Sequence, residues 1–240
     1  MIPTLDVTVS ADIPESATFW VPSEEELPEP GVECSIGGYL GETWYVSDVS
    51  VDDAARVVRG EMTCLGFADR FSTDAASFEA IVSAIESGYT DSLPAELRIS
   101  DMAADLRELI GDGTYAAEVF GGIELGVAGL VAALNATGYV TSASCRGHHT
   151  ADRQPWADHP VVYFATGRRA ASRLAPLVEA AGCGLTIDEE RPDLLIIEAP
   201  SIACTVRLAH ALIADVVDAS PALSIVPCEA QGQQASENAG

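Results

Sequence analysis

The segment at residues 139–149 reads Tyr-Val-Thr-Ser-Ala-Ser-Cys-Arg-Gly-His-His. Its first part, 139–143, is a short β-type run and predicts a strand that leads into a polar turn. Upstream, apolar residues recur at helical spacing over 123–137, and Gly138 follows. This pattern predicts a helix that ends just before the strand. The helix, strand and turn open the part of the chain with the clearest structural signal.

Downstream of the turn, apolar strand-like runs alternate with amphipathic helical segments. We predict strands at 161–165, 185–187 and 194–197, and helices at 168–181 and 202–217. The resulting order α-β-β-α-β-β-α indicates an α+β fold, in which helices pack on a mixed, largely antiparallel sheet.

The N-terminal part of the chain has a different composition. We expect residues 1–118 to form an acidic, mixed α/β part, with helices near 51–59, 74–87 and 101–110 and an extended run around Val7 and Val9. Residues 119–228 would form the α+β core that carries the Cys145 turn, with a last strand at 220–226. The polar tail 229–240 predicts disorder.

The net charge of the chain is −25, from 37 acidic and 12 basic residues, and all twelve basic residues are arginine. Such a field repels long nucleic acids, so we do not expect one as a partner. No apolar run is long enough to span a bilayer, and no secretory signal is visible, which predicts a cytoplasmic protein without membrane contact. The six scattered cysteines include no Cys-x-x-Cys pair and indicate reduced thiols.

The charge is locally reversed around the turn. Residues 139–178 contain five arginines against two aspartates, and also three of the four histidines. A cationic window in an acidic protein would concentrate a small anion, and arginine suits phosphate or carboxylate recognition. The alternative is that the arginines lie on a solvated helix face and pair with nearby carboxylates.

The turn itself holds the candidate functional side chains. We expect Cys145 to act as a nucleophile, with His148 and His149 as general acid or base. The residues expected to bind a ligand or cofactor are Ser142, Ser144, Arg146, Gly147, Arg168 and Arg169. In the purely structural alternative, Cys145 is a small buried hydrophobe and the histidines lie on the surface.

Metal binding is a third option, since the turn offers one sulfur and two imidazole nitrogens. Adjacent histidines seldom bind one ion, so a further ligand would come from the next loop, where the choices are Asp152, Asp158 and His159. From the sequence we therefore assign no metal ligand, and we leave the cofactor unknown.

A family resemblance covers this region. Residues 134–147 read Leu-Asn-Ala-Thr-Gly-Tyr-Val-Thr-Ser-Ala-Ser-Cys-Arg-Gly. This run resembles the wybutosine-synthesising Tyw3 methyltransferase family, whose helix ends in an Ile/Leu-Asn pair before a Thr-Thr-Ser-Ser-Cys-Ser-Gly-Arg run. The positions that match are Thr141, Ser144, Cys145 and Gly147, and those that depart are Ser142, Ala143, Arg146 and His148. The resemblance implies S-adenosylmethionine-dependent methyl transfer to a tRNA guanosine derivative.

These observations predict an enzyme or ligand-binding protein that holds a small anionic molecule such as a nucleotide at residues 142–149, and the family resemblance implies a transferase. The alternative is a non-enzymatic acidic interaction protein, for example an inhibitor, immunity factor or scaffold. Its docking segment for a basic partner would be residues 1–50, which contain ten carboxylates and no basic residue. The sequence indicates neither the substrate nor the oligomeric state.

Overall fold

The computed structural model describes residues 2–23, 25, 49–89, 93, 104–106, 108–109, 122–148 and 157–219. Its helices are α1 (Val51–Phe71), α2 (Ala75–Ser87), α3 (Ala128–Ala136), α4 (Arg168–Ala181) and α5 (Ile202–Ala219). Its strands are β1 (Val140–Cys145), β2 (Val161–Ala165), β3 (Gly184–Ile187) and β4 (Leu195–Glu198). The predicted α+β class is confirmed. The predicted last strand at 220–226, the tail and half of the predicted helix at 101–110 lie outside the described residues. The part of that helix that is described, 104–106 and 108–109, is helical.

The four strands form one sheet in the order β1-β2-β4-β3, and each neighbouring pair is antiparallel. The predicted antiparallel pairing is therefore confirmed. β1 starts one residue later than predicted and continues to Cys145, which pairs with Val161 at the start of β2. The thiol thus belongs to the end of a strand, because the backbone of residues 144–145 still pairs with β2.

Helix α1 is longer than the predicted span 51–59. Its buried residues include Ala54, Val58, Glu61, Leu65 and Ala68, spaced alternately four and three apart, which is one continuous helix face. Gly60 and Glu61 interrupt the apolar pattern in the sequence, but the helix continues through them. Ser50 caps the start of the helix, since its Oγ accepts the backbone N–H of Asp53 at 3.1 Å.

Helices α1 and α2 pack against the sheet-bearing part of the chain. Val58 of α1 shares a hydrophobic cluster with Leu130 and Leu208, and Ile81 of α2 shares a second cluster with Leu125 and Ile202. The N-terminal segment also contacts this part of the chain, since the N–H of Leu185 donates to the carbonyl oxygen of Ser10 at 2.7 Å. Residues from before and after position 118 therefore contribute to both clusters.

The start of α3 is capped by a carboxylate from α1. Its own N-cap residue, Val127, makes no side-chain cap bond. Instead, the buried Glu61 accepts the N–H of Gly126 at 2.7 Å and that of Gly129 at 3.2 Å. A negative group at a helix N-terminus satisfies free N–H donors and complements the helix dipole. This contact fixes the segment 122–127, which carries Glu124. In the described parts of the chain, no helix has the length and apolarity that crossing a bilayer demands.

Candidate metal centre

The site is built around the end of β1. The side chain of Cys145 is buried, and its sulfur accepts the backbone N–H of Gly147 at 3.3 Å. Gly147 has φ 80°, and a Cβ at this position would lie 2.7–2.8 Å from backbone atoms of His159. Only glycine fits this close approach without a shift of the backbone. The chain therefore turns tightly after the thiol and brings residues 146–148 back toward α2.

Arg146 is the buried cation of the site, with 4% of the residue exposed. Its Nη2 lies 2.5 Å from Oε1 of Glu79, its Nε lies 3.3 Å from Oε2 of the same residue, and its Nη1 pairs with Glu86. Burial opposes the charge of the guanidinium, but the carboxylates of Glu86 and Glu79 outweigh it and raise the pKa of Arg146. A buried arginine is tolerable only when it is paired in this way.

The two glutamates of α2 respond differently to this pairing. Burial alone would raise both pKa values. For Glu79, Arg146 and His148 overcome burial and lower the pKa of the carboxyl. For Glu86, burial prevails over Arg146, and the nearby Glu124 adds to it, so the pKa of Glu86 is raised. Glu79 is therefore the more firmly ionised of the two.

His148 lies between two carboxylates. Its Nδ1 is 3.2 Å from Oε1 of Glu79, and its Nε2 is 2.8 Å from Oε1 of Glu124. A neutral imidazole has one N–H, so it can donate to only one of these carboxylates. The other nitrogen then directs its lone pair at a carboxylate oxygen. Either a second proton or a cation placed at that contact would remove the repulsion.

Glu124 completes the cluster from the segment before α3. Its Oε2 accepts the backbone N–H of Arg146 at 2.9 Å. Candidate ligand atoms of Glu124, Cys145 and His148 all lie within 4.8 Å of one another. Burial, followed by the charge of Glu124, raises the pKa of the Cys145 thiol to about 12. Unless a metal ion binds it, the sulfur is a protonated thiol at neutral pH and not an active nucleophile.

The charge of the assembled site is negative. Among the described residues, the guanidinium of Arg146 pairs with the carboxylates of Glu79 and Glu86, and a third carboxylate, that of Glu124, accepts the backbone N–H of Arg146. Two of the donors that the sequence suggested for an anion are engaged inside the protein, since Arg146 binds glutamates and the Gly147 N–H donates to the Cys145 sulfur. The geometry thus favours a cation at this position over an anion.

The other predicted ligand-binding residues are two serines of β1 and two arginines of α4, and the arginines lie away from the turn. Ser142 is buried in β1 and Ser144 is half-buried. Arg168 and Arg169 are exposed at the start of α4. They follow the C-terminal end of β2, whereas Cys145 pairs with the N-terminal end of the same strand. The guanidinium of Arg168 lies 4.6 Å from the centre of the Phe19 ring. The expected cradle of Arg146 with Arg168 and Arg169 is therefore not assembled, because the length of β2 separates them.

Several further expectations concern the loop after the turn. His149 and Asp152 lie outside the described residues, as do most of the acidic residues among the first fifty. His159 is near Asp158 at 2.6 Å and Glu198 at 3.5 Å, and its backbone packs on Gly147. Neither Asp158 nor His159 belongs to the three-ligand cluster found among the described residues. Docking of a basic partner to residues 1–50 stays a prediction.

The sequence reasoning missed all three glutamates, although two signals pointed to them. Glu124 is the sole charged residue between positions 119 and 145, within a strongly apolar stretch. Glu79 and Glu86 are seven residues apart and thus lie on the same side of α2, next to its buried face. A carboxylate in or beside an apolar face needs a partner, and the arginine of the turn was available for that role.

Comparisons with protein-family models, with curated proteins and with solved structures find no match for this chain. The resemblance of residues 134–147 to the Tyw3 methyltransferase family stays a prediction.

Proposed function

We propose that this protein binds a divalent transition-metal ion, of which zinc is the best candidate, through Glu124, Cys145 and His148. The observation that carries the proposal is the convergence of a carboxylate, a thiol and an imidazole within 4.8 Å. Sulfur, nitrogen and oxygen donors of these types are those that zinc takes in proteins. Donor atoms around a tetrahedral zinc lie roughly 3–4 Å apart, given bonds of about 2.0–2.3 Å, so small side-chain rotations would complete the site.

The electrostatics support the same assignment. In the part of the chain that the structure describes, the cluster has more carboxylates than guanidinium groups, and each ring nitrogen of His148 faces a carboxylate. A metal ion between Nε2 of His148 and Glu124 would replace their 2.8 Å contact with two coordinate bonds. It would also favour the thiolate of Cys145, since a bound cation stabilises the deprotonated sulfur.

Three protein ligands leave one position of a tetrahedral metal for water or a small molecule, an arrangement typical of catalytic zinc sites. A metal there would polarise a bound carbonyl or phosphoryl oxygen, or lower the pKa of bound water. A small anionic molecule, as the sequence suggests, would then bind through the metal rather than through Arg146. His148 and Cys145 would serve as ligands rather than as general base and nucleophile.

The proposal is tested by metal analysis of protein purified without chelator, and by titration with Co²⁺. Cobalt bound to a thiolate gives a charge-transfer absorption that reports the Cys145 bond. We expect about one metal per chain, with the absorption lost in Cys145→Ser. Cys183→Ser is the matched control, because Cys183 is also buried and burial also raises its pKa to about 12. Metal content well below one per chain, or equal absorption in both variants, would contradict the proposal.

A further inference from the structure

Glu79 contacts the imidazole of His148 at the ring nitrogen opposite the one that faces Glu124. Its Oε1 lies 3.2 Å from Nδ1, while Nε2 of the same ring faces Glu124 at 2.8 Å. If Nε2 binds the metal, the single proton of the neutral ring must sit on Nδ1 and donate to Glu79. A carboxylate in this position fixes the tautomer and the orientation of a metal-binding histidine, and it makes the ring a better ligand.

Glu79 is itself held rigidly. Arg146 binds it through two nitrogens, Nη2 to Oε1 at 2.5 Å and Nε to Oε2 at 3.3 Å, and both side chains are largely buried. Two parallel contacts of this type keep a carboxylate from rotating. Arg146 therefore holds in place the Glu79 oxygen that faces Nδ1 of His148.

We infer that Glu79 is the positioning residue of the metal centre, orienting His148 from α2 while Arg146 holds the carboxylate in place. This inference rests on the proposed function, because it assigns His148 as a ligand. It links metal affinity to the docking of α2, whose contacts with Arg146 and His148 join residues 60 to 69 positions apart in sequence.

The chain offers a matched control in Glu86. It lies on the same side of α2, it also pairs with Arg146, and its Oε1 accepts the N–H of Leu125 at 2.7 Å. Glu86 therefore contacts the guanidinium of Arg146 and a backbone N–H, whereas Glu79 also contacts the imidazole of His148. If Glu79 served only to neutralise Arg146, the loss of either glutamate would have the same effect on metal binding.

The experiment is Co²⁺ titration, followed by absorption, of the wild-type chain, Glu79→Gln and Glu86→Gln. We expect Glu79→Gln to bind metal about 10–100-fold more weakly, with shifted visible bands, because removal of such an outer carboxylate has effects of this size. Glu86→Gln should lose much less affinity and keep the wild-type spectrum. Equal affinity and equal spectra in the two variants would overturn the inference.

A second pair covers the case in which Glu79→Gln does not fold. Glu79→Asp and Glu86→Asp keep the charge beside Arg146 and only withdraw the carboxylate. Glu79→Asp should bind Co²⁺ more weakly than Glu86→Asp, and the reverse order or equality would overturn the inference. Failure of the wild-type chain to bind Co²⁺ would remove the proposed function and this inference together. Binding by the wild-type chain and by Glu79→Gln alike would remove only the inference.

Discussion

Glu61 and Gly129 are in direct contact although 68 positions separate them: the N–H of Gly129 donates to Oε2 of Glu61 at 3.2 Å. The carboxylate comes from the middle of α1, and the N–H from the first turn of α3. Gly126 donates to the other oxygen at 2.7 Å. One buried acid therefore joins two helices and fixes the segment from which Glu124 reaches the turn.

Gly129→Ala should destabilise the protein, although alanine is normally the better helix residue. A Cβ at this position would lie 2.5 Å from Oε2 of Glu61 and 3.1 Å from a methyl carbon of Val58. We expect a loss of about 1–3 kcal/mol in the free energy of unfolding, as for other overpacked cores. Urea unfolding followed by circular dichroism measures it.

The control for this substitution is Gly66→Ala in α1, where nothing lies within 4 Å of the added Cβ. There the helix propensity of alanine should raise stability by about 0.5–1 kcal/mol. If the two substitutions change stability in the same direction, the close packing of Glu61 on α3 is not as described.

The stability contributed by Glu61 should fall as the pH rises from about 4.5 to 7. Burial raises the pKa of Glu61 from its ordinary value of 4.5 to about 7, against the backbone N–H groups of Gly126 and Gly129. In this window the folded protein binds the proton more tightly than the unfolded chain, so folding is favoured at the acid end. The full difference is on the order of 3 kcal/mol, at about 1.4 kcal/mol for each pKa unit.

Glu61→Gln removes this titration. Urea unfolding of both proteins at several pH values between 4.5 and 8 measures the difference in their free energies of unfolding. The free energy of unfolding of the wild-type protein should fall relative to that of the variant as the pH rises, because only the wild-type chain releases a proton from position 61 when it unfolds. A difference in free energy of unfolding that stays constant over this pH range would contradict the raised pKa of Glu61.

Arg146→Met should be strongly destabilising, because it leaves the carboxylates of Glu79 and Glu86 without their buried cation. Loss of one partner from such a network costs about 3–5 kcal/mol when the ions are fully buried. Glu79 is 13% and Glu86 24% exposed, so we expect the lower end of that range. Thermal and urea unfolding both measure the effect.

The control for Arg146 is Arg56→Met, which breaks an exposed pair with Asp53. Exposed pairs contribute little because solvent and salt screen them. Its unfolding midpoint should stay at the wild-type value. Equal midpoints for Arg146→Met and the wild-type protein would mean that the buried network does not stabilise the fold.

The local patterns of the sequence predicted most of the elements, since helical spacing and glycine stops are encoded within a few residues. Helix α4 begins and ends as predicted, at Arg168 and before Gly182. The end of α1 was missed because Glu61 interrupts its apolar face, and only the free N–H groups of α3 explain a buried acid there.

The candidate site was predicted in part for the same reason. The thiol, guanidinium and imidazole of the turn are neighbours in sequence, and their proximity needed no knowledge of packing. The carboxylates that determine the charge of the site come from α2 and from the segment before α3, at separations of 22 to 69 residues. With these carboxylates the local charge becomes negative, and a count of charged residues along 139–178 alone could not predict this.

Metal should raise the melting temperature of the wild-type chain, because the ligands come from two segments, Glu124 before α3 and Cys145 with His148 at the turn, which are brought together only in the folded protein. A ligand that binds only the folded protein adds about 2.7 kcal/mol at a free concentration of 100 times its Kd. For a chain of this size, that corresponds to an increase in Tm of about 5–10 °C. Differential scanning fluorimetry with and without Zn²⁺ measures the shift, and a chelator should reverse it. Cys145→Ser should lose most of the shift and Cys183→Ser should retain it, because only Cys145 lies beside Glu124 and His148. An equal shift in both variants would mean that zinc binds elsewhere on this acidic protein.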